Sequence, residues 1–592
     1  TFPGLVVRKD LVKLVKGNAV VPSYVLEYLL GQYCASNDEE TIKAGIENVK
    51  EILRLHYVNR NEAELIKSTI KERGHHKVID KVGVELNAQE GVYEMAFSNL
   101  GIKKVPIDDR TVKNNEKLLV GGVWCLIDVE YEVREERGAS PWSIRSLKPI
   151  QMASFDRDEF IEGRGKLETD VWIDTLLQSI GLNPEKFGRR NKFFQLMRLV
   201  PFCERNYNLI ELGPKGTGKS HVYSECSPHG MLLSGGEVTL AKLFVNNATG
   251  KLGLVGYWDC IAFDEFAGKQ KRPDKSLVDV MKNYMANKTF SRGIETLGAE
   301  ASIAFVGNTM HSVPQMLKKS NLFEQLPDAY LDSAFIDRIH NYIPGWEVDI
   351  IRGEMFSSGY GFIIDYLSEV LHSMRELDYT TRYQKYFTLS PSISTRDKDG
   401  VQKTFSGLMK IVYPSGDATK EEIKELLTFA MEGRKRVKDQ LFRIDPTYDP
   451  VDFSFTDNET GAKISVKTLE EVQYPNLYGG ASEGERPEPT SPLEVDAPDE
   501  FSLKDAPRVP ENRVVEILEN QTGVDYECLF GACLEGVRQI TTTDPDGDVF
   551  IPFFTRFRSL QIFAKRYLNC YKLNSLRLFD LIQSASAVLN PN

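Results

Sequence analysis

The sequence predicts an α/β fold, a parallel sheet covered by helices on both faces and flanked by further domains. Three observations lead there. Short apolar runs recur at 207–212, 231–233, 257–263, 301–306 and 339–343, with helix-compatible segments between them. Runs of this kind fill strands that are buried on both faces. The first run enters the glycine-rich stretch Gly213-Pro214-Lys215-Gly216-Thr217-Gly218-Lys219-Ser220, and the third ends in two adjacent carboxylates, Asp264 and Glu265.

A chain of 592 residues exceeds one hydrophobic core, so three or four domains are expected. Apolar content of 41% and charged content of 27% are ordinary for a globular protein, and the formal net charge of −12 excludes a polycation. Contact with nucleic acid would need local basic surfaces. No run approaches the ~20 apolar residues of a membrane span, and the first residues show no secretory leader pattern. The eight cysteines form no Cys-x-x-Cys pair and several lie in apolar runs, which predicts buried, reduced thiols in a cytoplasmic protein. His75, His76 and His221 show no metal-ligand spacing, so no structural metal is expected.

Residues 1–150 are predicted to form an α+β domain. Val25, Leu26, Leu29, Leu30 and Tyr33 share one helical face, as do Ile42, Ile46, Val49, Ile52 and Leu53. Alternation at 82–86, 92–97 and 123–133 then reads as strands of a small barrel or sheet. Residues 151–344 form the sheet-bearing core and 345–443 a helical lid. The lid carries the stripe Ile363, Leu367, Val370, Leu371, Met374 and the capping box Thr419-x-x-Glu422. A hairpin extension (444–475), a linker rich in Pro, Glu, Asp, Gly and Ser (476–510) and a small C-terminal α/β domain (511–592) complete the expected order.

The glycine-rich stretch has Walker A spacing. Its backbone N–H groups, from Gly213 to Ser220, would cradle the phosphates of ATP, with Lys219 on the β- and γ-phosphates and Ser220 on Mg²⁺. Strand before and helix after set it apart from an ordinary glycine turn. Asp264 is the second expected Mg²⁺ partner, and Glu265 the group that polarises the attacking water. Asn308, in Gly307-Asn308-Thr309 after an apolar run, is placed to orient that water. Arg338 precedes the last core strand, where an arginine finger for a neighbouring subunit would sit; the other reading is a local Asp337–Arg338 pair. Arg396 is a second-sensor candidate toward nucleotide. The series is that of an AAA+ ATPase, which implies a parallel sheet of order 5-1-4-3-2.

Two stretches suggest the load. Residues 242–251 and 288–298 read as hairpins, and Lys242, Lys251, Lys288 and Arg292 near their tips suit a phosphate backbone better than a peptide; ordinary surface turns are the other reading.

Beyond these motifs, Phe2-Pro-Gly-Leu-Val-Val-Arg-Lys-Asp10, Gly213-Pro-Lys-Gly-Thr-Gly-Lys-Ser-His221, Gly235-Gly-Glu-Val-Thr239, Ile261-Ala-Phe-Asp-Glu-Phe266 and Phe335-Ile-Asp-Arg-Ile-His-Asn-Tyr-Ile-Pro-Gly-Trp-Glu347 resemble the BREX-system Lon-like (BrxL) family. The resemblance runs through about residue 443. It implies an anti-phage AAA+ ATPase using ATP and Mg²⁺ and assembling as a hexamer or stacked hexamers. It further implies double-stranded DNA in a central pore, an N-terminal domain for DNA contact and assembly, other BREX components as partners and no membrane. Two alternatives remain: a protein-remodelling ATPase working with a separate protease, and an ATP-gated DNA-binding scaffold. No Gly-Pro-Ser-Ala-Gly nucleophile signature follows the lid, so proteolysis is not expected. Gly523-Val-Asp-Tyr526 through Gly536, with Ile540-Thr-Thr-Thr-Asp544-Pro545, is similar to the phospholipase-D-like domain of some MIT-domain proteins. It lacks His-x-Lys-x4-Asp, and a binding role is expected.

Overall fold

The computed structural model describes residues 2–16, 21–34, 38–119, 122–133, 140–152, 155–233, 238–245, 252–266, 275–291 and 296–478. These belong to the first of two compact units, Thr1–Gly484. The expected linker from 479 onward and the expected C-terminal domain, 511–592, lie outside the described residues, as do Lys251 and Arg292.

Strand β1 (Val6–Arg8) opens the chain, followed by helices Leu11–Lys16, Ser23–Tyr33 and Glu39–His56. The Asp38 carboxylate accepts the Thr41 N–H at 2.9 Å and so caps the third helix, which buries Ile42, Ile46, Val49 and Leu53. Tyr33, expected on the inner face of the second helix, is 41% exposed, because that helix ends at it.

A barrel follows. Strands β2 (His75–Asn87), β3 (Val92–Phe97), β4 (Val105–Ile107), β5 (Val123–Tyr131) and β6 (Trp142–Pro149) pair antiparallel in the order β4-β3-β2-β5-β6, and β4 comes back against β6. With helix Asp109–Asn114 between its third and fourth strands, this is the connectivity of an OB-type barrel. Val78, Val82, Met95, Ile127 and Val129 fill its core.

Residues 1–150 do not share one core. The barrel has its own, whereas Val7, Leu11, Val25, Leu30, Ile46 and Leu53 join the cluster that holds Trp172, Phe202, Leu367 and Leu427. Periodicity shows which face of a helix is apolar and not which partner covers it.

The central sheet comprises β7 (Asn208–Gly213), β8 (Gly230–Leu233), β9 (Cys260–Phe263), β12 (Ser302–Asn308) and β13 (Asn341–Pro344), with the short hairpin β10 (Thr289–Ser291) and β11 (Thr296–Gly298) rising between β9 and β12. All four pairings are parallel, in the order β13-β7-β12-β9-β8. Every residue of β7, β9 and β13 is buried, as the uniform apolar runs require.

After the sheet, β14 (Tyr360–Phe362) pairs antiparallel with β1, Val6 opposite Phe362. A buried ion pair locks this junction. Lys9 Nζ donates to Glu27 Oε2 at 2.7 Å and to the Phe362 carbonyl at 2.7 Å, and Glu27 also accepts the Ile364 N–H at 2.8 Å. Helices Ile364–Met374, Thr395–Val412 and Lys420–Ile444 follow, the last opened by the Thr419–Glu422 capping box. The expected hairpin is β16 (Ser454–Asp457) and β17 (Lys463–Ser465). It gains a third strand, β15 (Phe387–Leu389), from the preceding segment.

Candidate nucleotide site

Strand β7 delivers the glycine-rich loop at its carboxyl end. Gly216 and Gly218 take φ of +84° and +75°, a region costly for side chains. A Cβ on Gly213 would lie 2.4 Å from the Gly345 backbone, where the chain leaving β13 crosses the loop. That crossing is hydrogen-bonded: Gly345 N–H to the Leu212 carbonyl at 2.9 Å and Ile351 N–H to the Gly216 carbonyl at 2.9 Å.

Helix Lys219–Glu225 starts directly after Gly218. Lys219 Nζ folds into the loop, donating to the Pro214 carbonyl at 2.6 Å and to Thr217 Oγ1 at 3.2 Å. Burial lowers its pKa, opposed by the nearby Glu211 and Asp264 carboxylates. Ser220 Oγ donates to Asp264 Oδ1 at 2.9 Å, and the Glu265 N–H reaches the same oxygen at 2.8 Å. Glu265 is exposed and held at φ +50°, in the left-handed region, where β9 turns away. On the other flank Asn308 is in register with Gly213, and the Thr309 N–H donates to the Gly213 carbonyl at 3.1 Å. The structure thus gathers Lys219, Ser220, Asp264, Glu265 and Asn308 at the carboxyl ends of three adjacent strands. Open parallel sheets bind ligands at that edge. Ser220 and Asp264 supply the hard oxygen donors that suit Mg²⁺.

Arg338 and Arg396 lie at the opposite edge. Asn208, the first residue of β7, donates from Nδ2 to the Arg338 carbonyl at 2.9 Å, and the His340 N–H donates to the Asn208 carbonyl at 2.8 Å. At about 3.3 Å per residue, the length of β7 puts that edge roughly 16 Å from the loop. Arg396 pairs with Asp337 at 2.5 Å, so it does not reach the phosphate loop of its own chain, and the second-sensor role in that chain is corrected. The reason is electrostatic: the Asp337 carboxylate is buried and draws in both Arg396 and the buried Arg434, the latter at 2.9 Å. Nor is there an Asp337–Arg338 pair. Arg338 bonds the Ala334 carbonyl, and its buried Nε has no hydrogen-bond partner in the structure.

The basic hairpins are reached in part. Lys242 sits on the one-turn helix Leu240–Leu243, capped by Thr239, and not on a strand; Val245 and Leu252 bridge across the base of the loop beyond it. Strands β10 and β11 do form a hairpin, with exposed Lys288 at its base.

Sequence reasoning missed Arg198 and Glu211. Both are fully buried. Arg198 Nε and Nη2 donate to Glu211 at 2.9 and 2.6 Å, and Nη2 also donates to the Thr217 carbonyl at 3.0 Å. In a trans peptide the carbonyl and the following N–H point in opposite directions. Holding the Thr217 carbonyl therefore aims the Gly218 N–H away from Arg198. The signal was a glutamate inside the apolar run of β7.

Residues 142–454 match the family model for the ATPase domain described as Lon-like protease BrxL-like, and residues 1–131 match the N-terminal model of the BREX system Lon protease-like protein BrxL. The chain belongs to the BrxL family. A relative named Lon-like protease BrxL from Escherichia coli O9:H4 (strain HS) is 48% identical over 471 residues, 79% of this chain and 68% of that one. One of the same name from Bacillus cereus (strain H3081.97) is 50% identical over 463 residues, 78% of this chain and 68% of that one. The uncharacterized protein ORF426 of Acidianus filamentous virus 1 is 25% identical over 298 residues, 44% of this chain and 64% of that one. A solved full-length MCM homolog from Methanopyrus kandleri covers 72% of this chain and 99% of its own at 11% identity, with a TM-score of 0.36. BrxL membership makes the chain a BREX-associated AAA+ ATPase. The phospholipase-D-like resemblance at 511–592 falls outside both matched segments. Among the described residues no helix is long and apolar enough to cross a membrane.

Proposed function

We propose that this BrxL-family chain hydrolyses ATP with Mg²⁺ in a homo-oligomeric ring around double-stranded DNA, working with other BREX components against phage in the bacterial cytoplasm. The observation that carries the reading is the Ser220–Asp264 hydrogen bond beside Lys219, Glu265 and Asn308. The parallel order β13-β7-β12-β9-β8 supports an AAA+ core.

In this reading the loop N–H groups and Lys219 bind the β- and γ-phosphates, and Ser220 and Asp264 hold the metal. Bound Mg²⁺ would supply charge neutralisation on the phosphate oxygens. Glu265 accepts a hydrogen bond from the attacking water and Asn308 orients it. Arg338 sits about 16 Å from its own loop, the length of β7, so its guanidinium would serve a neighbouring subunit. Arg396, exposed beside it, belongs to the same surface.

Lys242 and the β10–β11 hairpin are the proposed DNA contacts, together with Lys251 and Arg292, which lie outside the described residues. The OB-type barrel is a second platform, since such barrels bind nucleic acid. Duplex-DNA binding by the full chain should weaken steeply with salt. Absence of duplex binding at low salt would instead favour a protein-remodelling ATPase.

A further inference from the structure

His229, Asp259 and His372 meet at the sheet edge remote from the phosphate loop. His229 lies in the turn before β8 and Asp259 in the turn before β9, while His372 is in the last turn of helix Ile364–Met374. One potential ligand atom from each lies within 4.8 Å of the other two. The imidazoles are stacked, with ring centroids 4.6 Å apart and planes at 13°. Asp259 Oδ2 is 2.5 Å from His372 Nδ1.

The surroundings are those of a built site. His229 Nε2 is 2.8 Å from Glu369 Oε1, on a carboxylate only 5% exposed. A carboxylate holding one ring nitrogen fixes the ring and makes the other nitrogen the ligand, the usual arrangement around metal-bound histidines. Arg375 Nε lies 3.5 Å from Asp259 Oδ1 and steadies it from behind, leaving Oδ2 to act as a single donor. The Asp259 side chain is 12% exposed and that of His372 49% exposed, so the cluster opens to solvent on one side.

We propose that His229, Asp259 and His372 bind a divalent transition-metal ion of the zinc class, with Glu369 orienting His229. Two imidazoles and one carboxylate suit such ions, whereas Mg²⁺ and Ca²⁺ prefer oxygen alone. Tetrahedral zinc with ligands at 2.0–2.2 Å sets donor atoms about 3.4 Å apart, so side-chain rotation must open the 2.5 Å Asp259–His372 contact and bring the His229 nitrogen in. Water on the solvent side completes the coordination. The ion would tie the β8–β9 edge to the helix that follows β14, away from Ser220 and Asp264. Sequence spacing conceals the site, because Asp259 and His372 are 113 residues apart.

The test is calorimetric titration of the chelator-treated, magnesium-free full chain with zinc chloride. The expected result is one Zn²⁺ per chain at micromolar or tighter Kd, with a raised melting temperature. His372→Asn, at a half-exposed position, and His229→Gln should each weaken that binding at least tenfold, with circular dichroism confirming fold. Glu369→Gln should weaken it less. Failure of the wild type to bind zinc saturably, or an unchanged stoichiometry and Kd in the folded His229→Gln/His372→Asn double variant, would overturn the proposal.

Discussion

Arg198 and Glu211 form a bidentate ion pair beneath the phosphate loop, at 2.9 and 2.6 Å, and the same guanidinium holds the Thr217 carbonyl. Removing one partner strands a buried charge, which costs about 3–5 kcal/mol, whereas replacing both by apolar residues is often neutral. Arg198→Met alone should therefore unfold at lower denaturant than Arg198→Met/Glu211→Leu. The double variant should keep its fold and lose roughly tenfold in nucleotide affinity, the worth of a charged hydrogen bond of about 1.5 kcal/mol. Urea unfolding and fluorescent-nucleotide titration measure the two effects separately. Unchanged affinity in the folded double variant would show that the loop keeps its shape without Arg198.

Gly213→Ala tests the crossing of the loop by the chain leaving β13. Its Cβ would stand 2.4 Å from Gly345 backbone atoms, which cannot rotate aside. The variant should lose nucleotide binding and melt several degrees lower, while Gly353→Ala, with open space around it, should melt as the wild type does.

Glu265→Gln should bind ATP as the wild type does and turn it over at least a hundredfold more slowly, since the amide cannot accept a proton from water. Unchanged turnover would remove Glu265 from the mechanism.

His340 carries a pH dependence. Burial pushes its pKa down to about 4, and Nδ1 accepts the Asn208 N–H at 2.8 Å, which requires the neutral ring. Between pH 6.5 and 4 the unfolded chain binds this proton and the folded chain does not. Stability should fall as pH falls through that window, by an amount of order 3 kcal/mol, and this contribution should level off below it. His340→Gln should flatten the dependence in urea unfolding at pH 7 and pH 5.

The phosphate loop, the Asp264–Glu265 strand end and Asn308 were legible in the sequence because each couples an apolar run to a polar terminus, a pattern local in the chain. Arg198 was not, since its partner Glu211 resembles a stray charge in a buried strand until β7 is seen packed beside it. The pairing of Val6 with Phe362 depends on two short strands far apart in the chain, and neither announces its partner. Arg396 was misplaced for a related reason. Its neighbours in sequence suggest a helix start, and only the buried Asp337 determines the sheet edge to which that helix brings it. Lys242 falls on one helical turn because the Thr239 side chain caps it, a local hydrogen bond that the residues of 242–251 do not show.

The central claim is a site completed by a neighbour, and mixing two inactive variants tests it most directly. Lys219→Ala removes the ammonium proposed to bind phosphate, and Arg338→Ala removes the guanidinium proposed to serve a neighbouring subunit. Each alone should show background ATPase activity. Co-assembled in equal amounts with DNA, they should recover a substantial fraction of wild-type turnover, because some interfaces pair an intact loop with an intact Arg338. Background activity at every mixing ratio, in particles shown by electron microscopy to contain both variants, would contradict the account.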